Sequence, residues 1–290
     1  MVPPKDVSLP FFAYGVFKPG ELAFHRLNDL VASQEPRCSI KGDLRVRDGL
    51  PIAHPEGHGK LHGVLIRFRP GTEHEAYSRI AALEPKKQYR WDVASVGGVS
   101  ANYLAGKSPM KGSVPFEGHE WSGKSDPLFT VALEVVEDTM KNQTKFQWLP
   151  GDQPDLRPLF RLEMAYLLLW SCIERYASLR YDLSKRATNK VLMIADEPAF
   201  RSALSIEVKT PRKLYRADDP SKDCVLDPSD PRKSIAYYHQ VRNNLVHRGK
   251  AAVRDHEILD ESLRELLAIF RQVLDAAFDS SALEKPQPQQ

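Results

Sequence analysis

The sequence contains little cysteine. Its 290 residues include only Cys38, Cys172 and Cys224, and no two of them form a CxxC pair. An odd number of widely spaced cysteines argues against a disulfide framework and against a zinc knuckle, and it favours a reducing, cytoplasmic compartment.

Long hydrophobic runs are also missing. The most apolar stretch, Tyr166–Ile173, is far shorter than a bilayer-spanning helix. The first ten residues mix prolines with charged residues and lack the apolar core of a signal peptide. We therefore expect no association with a membrane.

An excess of one charge is absent as well. The 41 basic residues nearly balance the 38 acidic residues, which leaves a formal charge of +3. A protein that wraps long nucleic acid needs many uncompensated Lys and Arg residues, so that class is excluded, while local basic patches remain compatible with the composition.

The pattern of residues divides the chain into two halves. Up to about Val136 there are short strand candidates, including 61–68, 89–96 and 129–136, with helical spacing over 21–32 and 72–83. After about residue 155 the apolar spacing is helical, over 156–183, 189–204, 234–248 and 254–278, with a loop over 207–230. This pattern predicts an α+β protein with a mixed α/β barrel domain at 9–137, a linker at 138–154, an all-α four-helix bundle at 155–280 and a disordered tail at 281–290.

Polar residues on the third helix of the second half form a candidate site. At about 100° per residue, Tyr238, Val241 and Leu245 lie on one face, which must be the core face. Asn243 and His247 are four residues apart and lie roughly opposite that face, with Arg242 beside them. Such residues are either solvated or assembled against another surface.

The run Arg242-Asn-Asn-Leu-Val-His247 resembles the motif of the HEPN superfamily, which has an Arg, a polar residue, a short spacer and a His. The upstream run 166–174, which ends in Glu174, is similar to the first long helix of these domains. The resemblance implies a metal-independent endoribonuclease that works as a homodimer, with Arg242, Asn243 and His247 as catalytic residues and Glu174 bracing Arg242. It also implies a toxin or antiviral defence component.

The residue types suit this chemistry. Cleavage without a metal must deprotonate the 2′-OH, stabilise a charged phosphorane and protonate the 5′ oxygen. Histidine exchanges a proton near neutral pH, and arginine offers a fixed cationic fork to phosphate oxygens. The alternative is that the motif lies on an ordinary solvated face of a helix.

Basic residues in the predicted loop are candidates for RNA binding. Four of them could contact phosphates: Lys209, Arg212, Lys213 and Arg216. Nearby aspartates dilute this charge, so a solvated loop is the alternative.

The first half carries a second set of motifs. The residues Tyr14-Gly15-Val16-Phe17, followed by Leu83-Glu84 and Tyr89-Arg90, resemble the γ-glutamylcyclotransferase-like family. The resemblance implies that Tyr14 to Phe17 cradle a small γ-glutamyl-type ligand and that Glu84 is the catalytic acid and base. A carboxylate can act in this way only if partial burial raises its pKa towards neutrality.

Two departures from the family pattern affect Glu84. Ala81 stands where members often have Asp, and Pro85 follows Glu84 in place of Gly. If Lys86 and Lys87 point inward, they would lower the pKa of Glu84. The alternatives are that Glu84 is a solvated residue at a helix end, or that the domain senses a ligand or a regulatory protein.

The histidines His54, His58 and His62 are spaced four residues apart, but the run passes through Pro55 and two glycines and cannot be a regular helix. A zinc site carried by a loop is one interpretation, and scattered surface imidazoles are the favoured one. We predict no metal and no cofactor.

Overall fold

The computed structural model describes residues 1–107, 110–118, 120–142, 156–181, 186–248 and 256–280. The chain divides into two compact units. The first consists of Met1–Asp126, Ser178–Lys185 and Ala277–Gln290, and the second consists of Pro127–Ala177 and Arg186–Ala276. Most of the predicted linker and all of the predicted tail lie outside the described residues.

A curled sheet that forms a half-barrel is the main feature of the first unit. Its strands are β1 (Phe11–Ala13), β2 (Val31–Lys41), β3 (Asp43–Arg47), β4 (Leu50–His54), β5 (Lys60–Phe68), β6 (Tyr89–Val96), β7 (Val99–Gly106) and β8 (Val114–Pro115). Their order is β2-β5-β1-β7-β4-β3-β8, with β6 also paired to β7. Helix α1 (Glu73–Leu83) connects β5 to β6.

Strand β7 has two parallel neighbours, whereas the other pairings in this sheet are antiparallel. It pairs with β1 where Phe11 opposes Asn102, and with β4 where Ala53 opposes Ala105. Since β1 ends at Ala13, β4 takes over as the neighbour of β7 farther along, and a gap in the ladder separates the two parallel strands.

Two-residue turns set the register of two antiparallel pairs. Asp48 and Gly49 join β3 to β4 with φ of 51° and 76°, and Gly97 and Gly98 join β6 to β7 with φ of 56° and 89°. Positive φ at both central residues is typical of the type I′ turn, whose twist matches that of the flanking strands. Glycine adopts this conformation at no steric cost.

Helices make up most of the second unit. They are α2 (Val131–Lys141), α3 (Arg157–Arg180), α4 (Ala187–Leu192), α5 (Pro198–Glu207), α6 (Pro231–Arg248) and α7 (His256–Ser280). A hairpin of β9 (Arg212–Tyr215) and β10 (Asp223–Leu226) lies between α5 and α6. The second unit is therefore not purely helical, and the predicted loop over 207–230 is wrong for these two strands.

Two further predictions of local structure are wrong. The strand candidate at 129–136 is mostly part of α2, because its buried residues Ala132, Leu133 and Val136 follow a helical period while Val131 and Val135 are exposed. The helix predicted over 21–32 is replaced by two 3₁₀ turns and the start of β2.

The described helices are each too short or too polar to cross a membrane.

Candidate functional site

The Arg–His motif lies at the C-terminal end of α6. Tyr238 and Val241 of the predicted core face are buried, whereas Leu245 is only half-buried. His247 belongs to the last turn of the helix, but its side chain lies outside the described residues. The geometry of the motif is therefore that of Arg242, Asn243 and their neighbours.

Arg242 is held between two helices. Its Nη2 atom lies 3.7 Å from Oε1 of Glu174 on α3, which is the ion pair expected between these residues. Its Nη1 atom donates a hydrogen bond of 3.3 Å to Oδ1 of Asn243. The side chain is 26% exposed. Among the described residues, Glu174 and Asn243 are the polar partners of Arg242. Most of the five N–H donors of its guanidinium are therefore available to a ligand.

A second histidine adjoins the motif, and the sequence analysis missed it. Nδ1 of His239 lies 3.4 Å from Nδ2 of Asn243, one helical turn along α6. The His239 ring lies beside the Trp170 ring of α3, with 5.5 Å between centroids. The spacing of four between His239 and Asn243 could have revealed this neighbour, since residues four apart share a helix face.

The two adjacent asparagines of the motif have different roles. Asn244 is buried, and its Oδ1 accepts hydrogen bonds from the Ala217 backbone N–H and from Nε2 of Gln240. Its Nδ2 donates to the Tyr215 carbonyl at 3.0 Å. Asn244 therefore anchors the β9–β10 hairpin on α6, whereas Asn243 contacts Arg242.

Exposed apolar side chains occur on the same two helices. Phe160 and Met164, four residues apart on α3, are 48% and 70% exposed, and Val246, four residues after Arg242, is 47% exposed. Single exposed apolar side chains are common on protein surfaces. Phe160 and Met164 precede Glu174 on α3 by ten residues or more, whereas Val246 follows Arg242 on α6.

The basic residues that were predicted to bind RNA do not behave as one group. Arg212 is 17% exposed, and its guanidinium pairs with Glu265 on both Nη atoms and with Glu261 at 3.0 Å. Burial lowers the pKa of Arg212, but the contacts with Glu265 outweigh it and leave the pKa above the ordinary value.

Arg216 pairs with Asp218 at 2.6 Å. Its hydrogen bond to Asp218 raises its pKa. Lys209 and Lys213 are exposed. Arg212 and Arg216 are therefore already paired with carboxylates. Arg212 also has a structural role, because its pairs with Glu261 and Glu265 join β9 to α7.

In the first unit, Glu84 lies directly after α1. Pro85 restricts the residue before it to extended backbone, and Glu84 has φ −93° and ψ 131°, so the helix ends at Leu83. Burial raises the pKa of the Glu84 carboxyl to about 8. Lys86 and Lys87 are exposed, so the inward orientation considered for them is not found.

Tyr14 fills the gap between the two parallel neighbours of β7. Its hydroxyl donates to the Leu104 carbonyl of β7 and accepts a 3.1 Å hydrogen bond from the Ala53 N–H of β4. The side chain is buried, and burial, the main cause, together with the Glu84 carboxylate raises its pKa above the ordinary value. Tyr14 and Glu84 are therefore close enough to interact electrostatically.

The loop after Tyr14 presents backbone donors. Its carbonyl groups are used internally, since Lys18 N–H donates to Gly15 and Ala23 N–H donates to Val16. Among the described residues, the N–H groups of Gly15, Val16 and Phe17 have no acceptor, although Val16 and Phe17 are buried. Successive backbone N–H groups without an acceptor can together bind an acceptor group of a ligand.

The base of this loop is anchored by Lys18. This side chain is 4% exposed, and its Nζ donates to the Trp121 carbonyl at 2.7 Å and to Glu120 Oε1 at 2.5 Å.

The histidine run does not converge. His54 ends β4 and His62 lies in β5. Among the residues that the structure describes, no cluster of three or more His, Cys, Asp or Glu side chains could hold a metal ion.

Comparisons with known proteins leave the family open. No protein-family model matches the sequence, and no curated protein matches it. The crystal structure of an uncharacterized protein, PH0828 from Pyrococcus horikoshii, is similar at 21% identity and a TM-score of 0.33. The similarity covers 39% of this chain and 90% of that protein.

Proposed function

We propose that the second unit is a metal-independent endoribonuclease of the HEPN type, with Arg242, Asn243 and His247 as its catalytic residues. The observation that carries this proposal is the orientation of the Arg242 guanidinium. A guanidinium on an ordinary solvated face would be mobile, but this one is oriented by Glu174 and Asn243 and keeps most of its donors for a phosphate.

The proposed chemistry is a transesterification. A base removes the proton of the 2′-OH, the O2′–P bond forms, the P–O5′ bond breaks, and an acid protonates O5′. His247 would carry a proton in this reaction, and Arg242 would stabilise the charge that develops on the phosphorane. The products would be a 2′,3′-cyclic phosphate and a 5′-hydroxyl end.

The active form would be a homodimer. A single Arg and a single His make an incomplete site, so a second copy would have to complete it. Val246, which is exposed four residues after Arg242, would be covered in that arrangement. In this arrangement the two copies would bring their motifs together. Lys209 and Lys213 would be the remaining cations for RNA phosphates, because Arg212 and Arg216 are paired.

RNA cleavage by purified protein tests the proposal. The full chain and its His247→Ala and Arg242→Ala variants would be incubated with total RNA and transfer RNA in EDTA, and the cut ends would be mapped. We expect the wild type alone to leave cyclic-phosphate ends. Cleavage that persists in highly purified His247→Ala protein would refute the assignment, and a monomer at working concentration would refute the dimeric site.

A second candidate function belongs to the first unit. Burial raises the pKa of Glu84 to about 8, and the Glu84 carboxylate contributes to the raised pKa of Tyr14. Among the described residues, the N–H groups of Gly15 to Phe17 have no acceptor. These features support a γ-glutamyl-compound cyclotransferase. The loop would hold the γ-glutamyl group, and Glu84 would move a proton as the α-amine attacks the side-chain carbonyl and expels an amine, which yields 5-oxoproline.

Release of 5-oxoproline from γ-glutamyl amines tests this candidate. Glu84→Gln should abolish the release, whereas Glu75→Gln on the exposed side of α1 should not. If neither protein releases 5-oxoproline but a γ-glutamyl compound raises the melting temperature of the wild type, a non-catalytic ligand-binding or regulatory domain is the better description. Fusion of such a domain to a ribonuclease fits a cytoplasmic toxin or antiviral effector.

A further inference from the structure

A small basic cavity lies in the first unit, beside the strand ends of the sheet. Its volume is about 120 Å³, and its lining includes Arg45 of β3, His54 of β4, Arg90 of β6 and Met110. Pockets for drug-sized ligands usually measure about 300 to 1,000 Å³. This cavity has room for a single small group and is too small for a nucleoside.

Arg45 is oriented by Ser113. Its Nε atom donates to Ser113 Oγ at 2.8 Å, and its Nη2 atom donates to the Ser113 carbonyl at 2.7 Å. Ser113 in turn donates to the Met110 carbonyl at 2.7 Å, which joins two parts of the cavity wall. Both partners of Arg45 are neutral, and among the described residues no carboxylate pairs with it.

The remaining charges leave the cavity positive. Arg90 reaches Asp92 only at 3.4 Å, and its side chain is 46% exposed. Glu56 also lines the cavity and is exposed, so the described part of the lining contains one carboxylate and two guanidinium groups. His54 adds a further donor. The Nε and Nη2 atoms of Arg45 already donate to Ser113, so its remaining Nη donors, together with the Arg90 guanidinium and the His54 imidazole, can bind phosphate oxygens.

We propose that this cavity binds a phosphate group, in the form of inorganic phosphate or a small phosphomonoester. The cavity lies next to the Tyr14 hydroxyl along β4. Ala53 donates a hydrogen bond to that hydroxyl, and the following residue, His54, lines the cavity. The site depends neither on ribonuclease activity nor on cyclotransferase activity.

The methyl group of Met110 offers a local probe. The full chain would be labelled with ¹³C-methyl methionine, the Met110 signal would be assigned with a Met110→Leu variant, and inorganic phosphate would be titrated at constant ionic strength. We expect the Met110 signal to shift and saturate. Acetate in place of phosphate should bind at least tenfold more weakly, because it lacks the second charge and the third oxygen.

Variants locate the site. Arg90→Gln and Arg45→Lys should each weaken phosphate binding about tenfold or more, because each removes a charged hydrogen-bond donor fork. Arg67→Gln is the matched control, since Arg67 is exposed and pairs with Glu35 elsewhere on the sheet. Arg90 is held only loosely, so its variant should fold even if Arg45→Lys does not.

Three results would overturn the proposal. They are a Met110 signal that does not respond to phosphate, equal weakening in Arg67→Gln, and acetate binding as tight as phosphate binding.

Discussion

Replacing Glu84 by glutamine should stabilise the protein in mildly alkaline solution and have little effect in mild acid. Burial raises the pKa of this carboxyl from 4.5 to about 8. Between these two values the unfolded chain releases the proton while the folded chain keeps it. The contribution of Glu84 to stability is therefore full below pH 4.5 and is lost as the pH rises towards 8.

The size of the effect follows from the shift. One pKa unit corresponds to about 1.4 kcal/mol, so the full shift would cost the wild type roughly 4 kcal/mol between about pH 5 and pH 8.5. The residue is only partly buried, and water that reaches the ionised carboxylate relaxes part of this cost. We therefore expect Glu84→Gln to gain about 2 kcal/mol over the wild type across this range.

Urea unfolding of both proteins at the two pH values measures the difference, and all other titrating groups cancel in the comparison. Glu75→Gln is the control, because Glu75 is exposed on the same helix and pairs with Arg79. Its effect should stay below about 0.5 kcal/mol at both pH values. A Glu84→Gln difference that does not change with pH would refute a raised pKa, and with it the role of Glu84 as an acid and base near neutrality.

The remaining predictions concern the second unit. Asn243→Ala should reduce RNA cleavage and leave the urea midpoint unchanged. Asn244→Ala should destabilise the protein by about 1 to 3 kcal/mol, because the backbone groups of the hairpin that bond to Asn244 lose their partner. Equal stability of the two variants would contradict this division of roles. Arg212→Ala should cost about 2 to 4 kcal/mol in chemical unfolding, because it leaves the 14%-exposed Glu265 carboxylate without its cation. Arg67→Ala, which breaks an exposed pair, should cost less than about 1 kcal/mol, and a similar loss for both arginine variants would refute the structural role of Arg212.

The sequence predicted elements best where the periodicity was long. Strands β5 and β6 and helix α7 have nearly the predicted bounds, because each carries an uninterrupted apolar pattern. The segment 129–136 was misread because its valines and its threonine favour strands, while its burial follows the helical period. In this segment the residue types favour a strand and the burial pattern favours a helix, and the segment forms a helix.

The residue pattern of segment 207–230 does not predict the β9–β10 hairpin. Its strands are four residues each, with prolines and charges around them, and only Leu214 and Leu226 are buried apolar residues. What holds it is Arg212 with α7 and Asn244 with its backbone, and both contacts join residues distant in sequence. A pattern read along the chain does not contain such contacts.

The candidate sites were partly accessible from sequence. The Arg242–Glu174 pair was expected from the resemblance to the HEPN superfamily, and Glu84 was singled out by the resemblance to the γ-glutamylcyclotransferase-like family. The Tyr14 hydroxyl as a bridge between two strands, and the pairing of Arg212, depend on the topology of the sheet and on the packing of a hairpin. Neither could be known before the fold.

The position of β1 has a consequence for biosynthesis. This three-residue strand spans Phe11–Ala13, yet its partners β5 and β7, which are made after it, end at Phe68 and Gly106. On the ribosome β1 must therefore wait for about a hundred residues to emerge before its ladder can close, and long-range pairings of this kind slow folding. The first unit would therefore complete its sheet later than a protein whose early strands pair with their immediate neighbours.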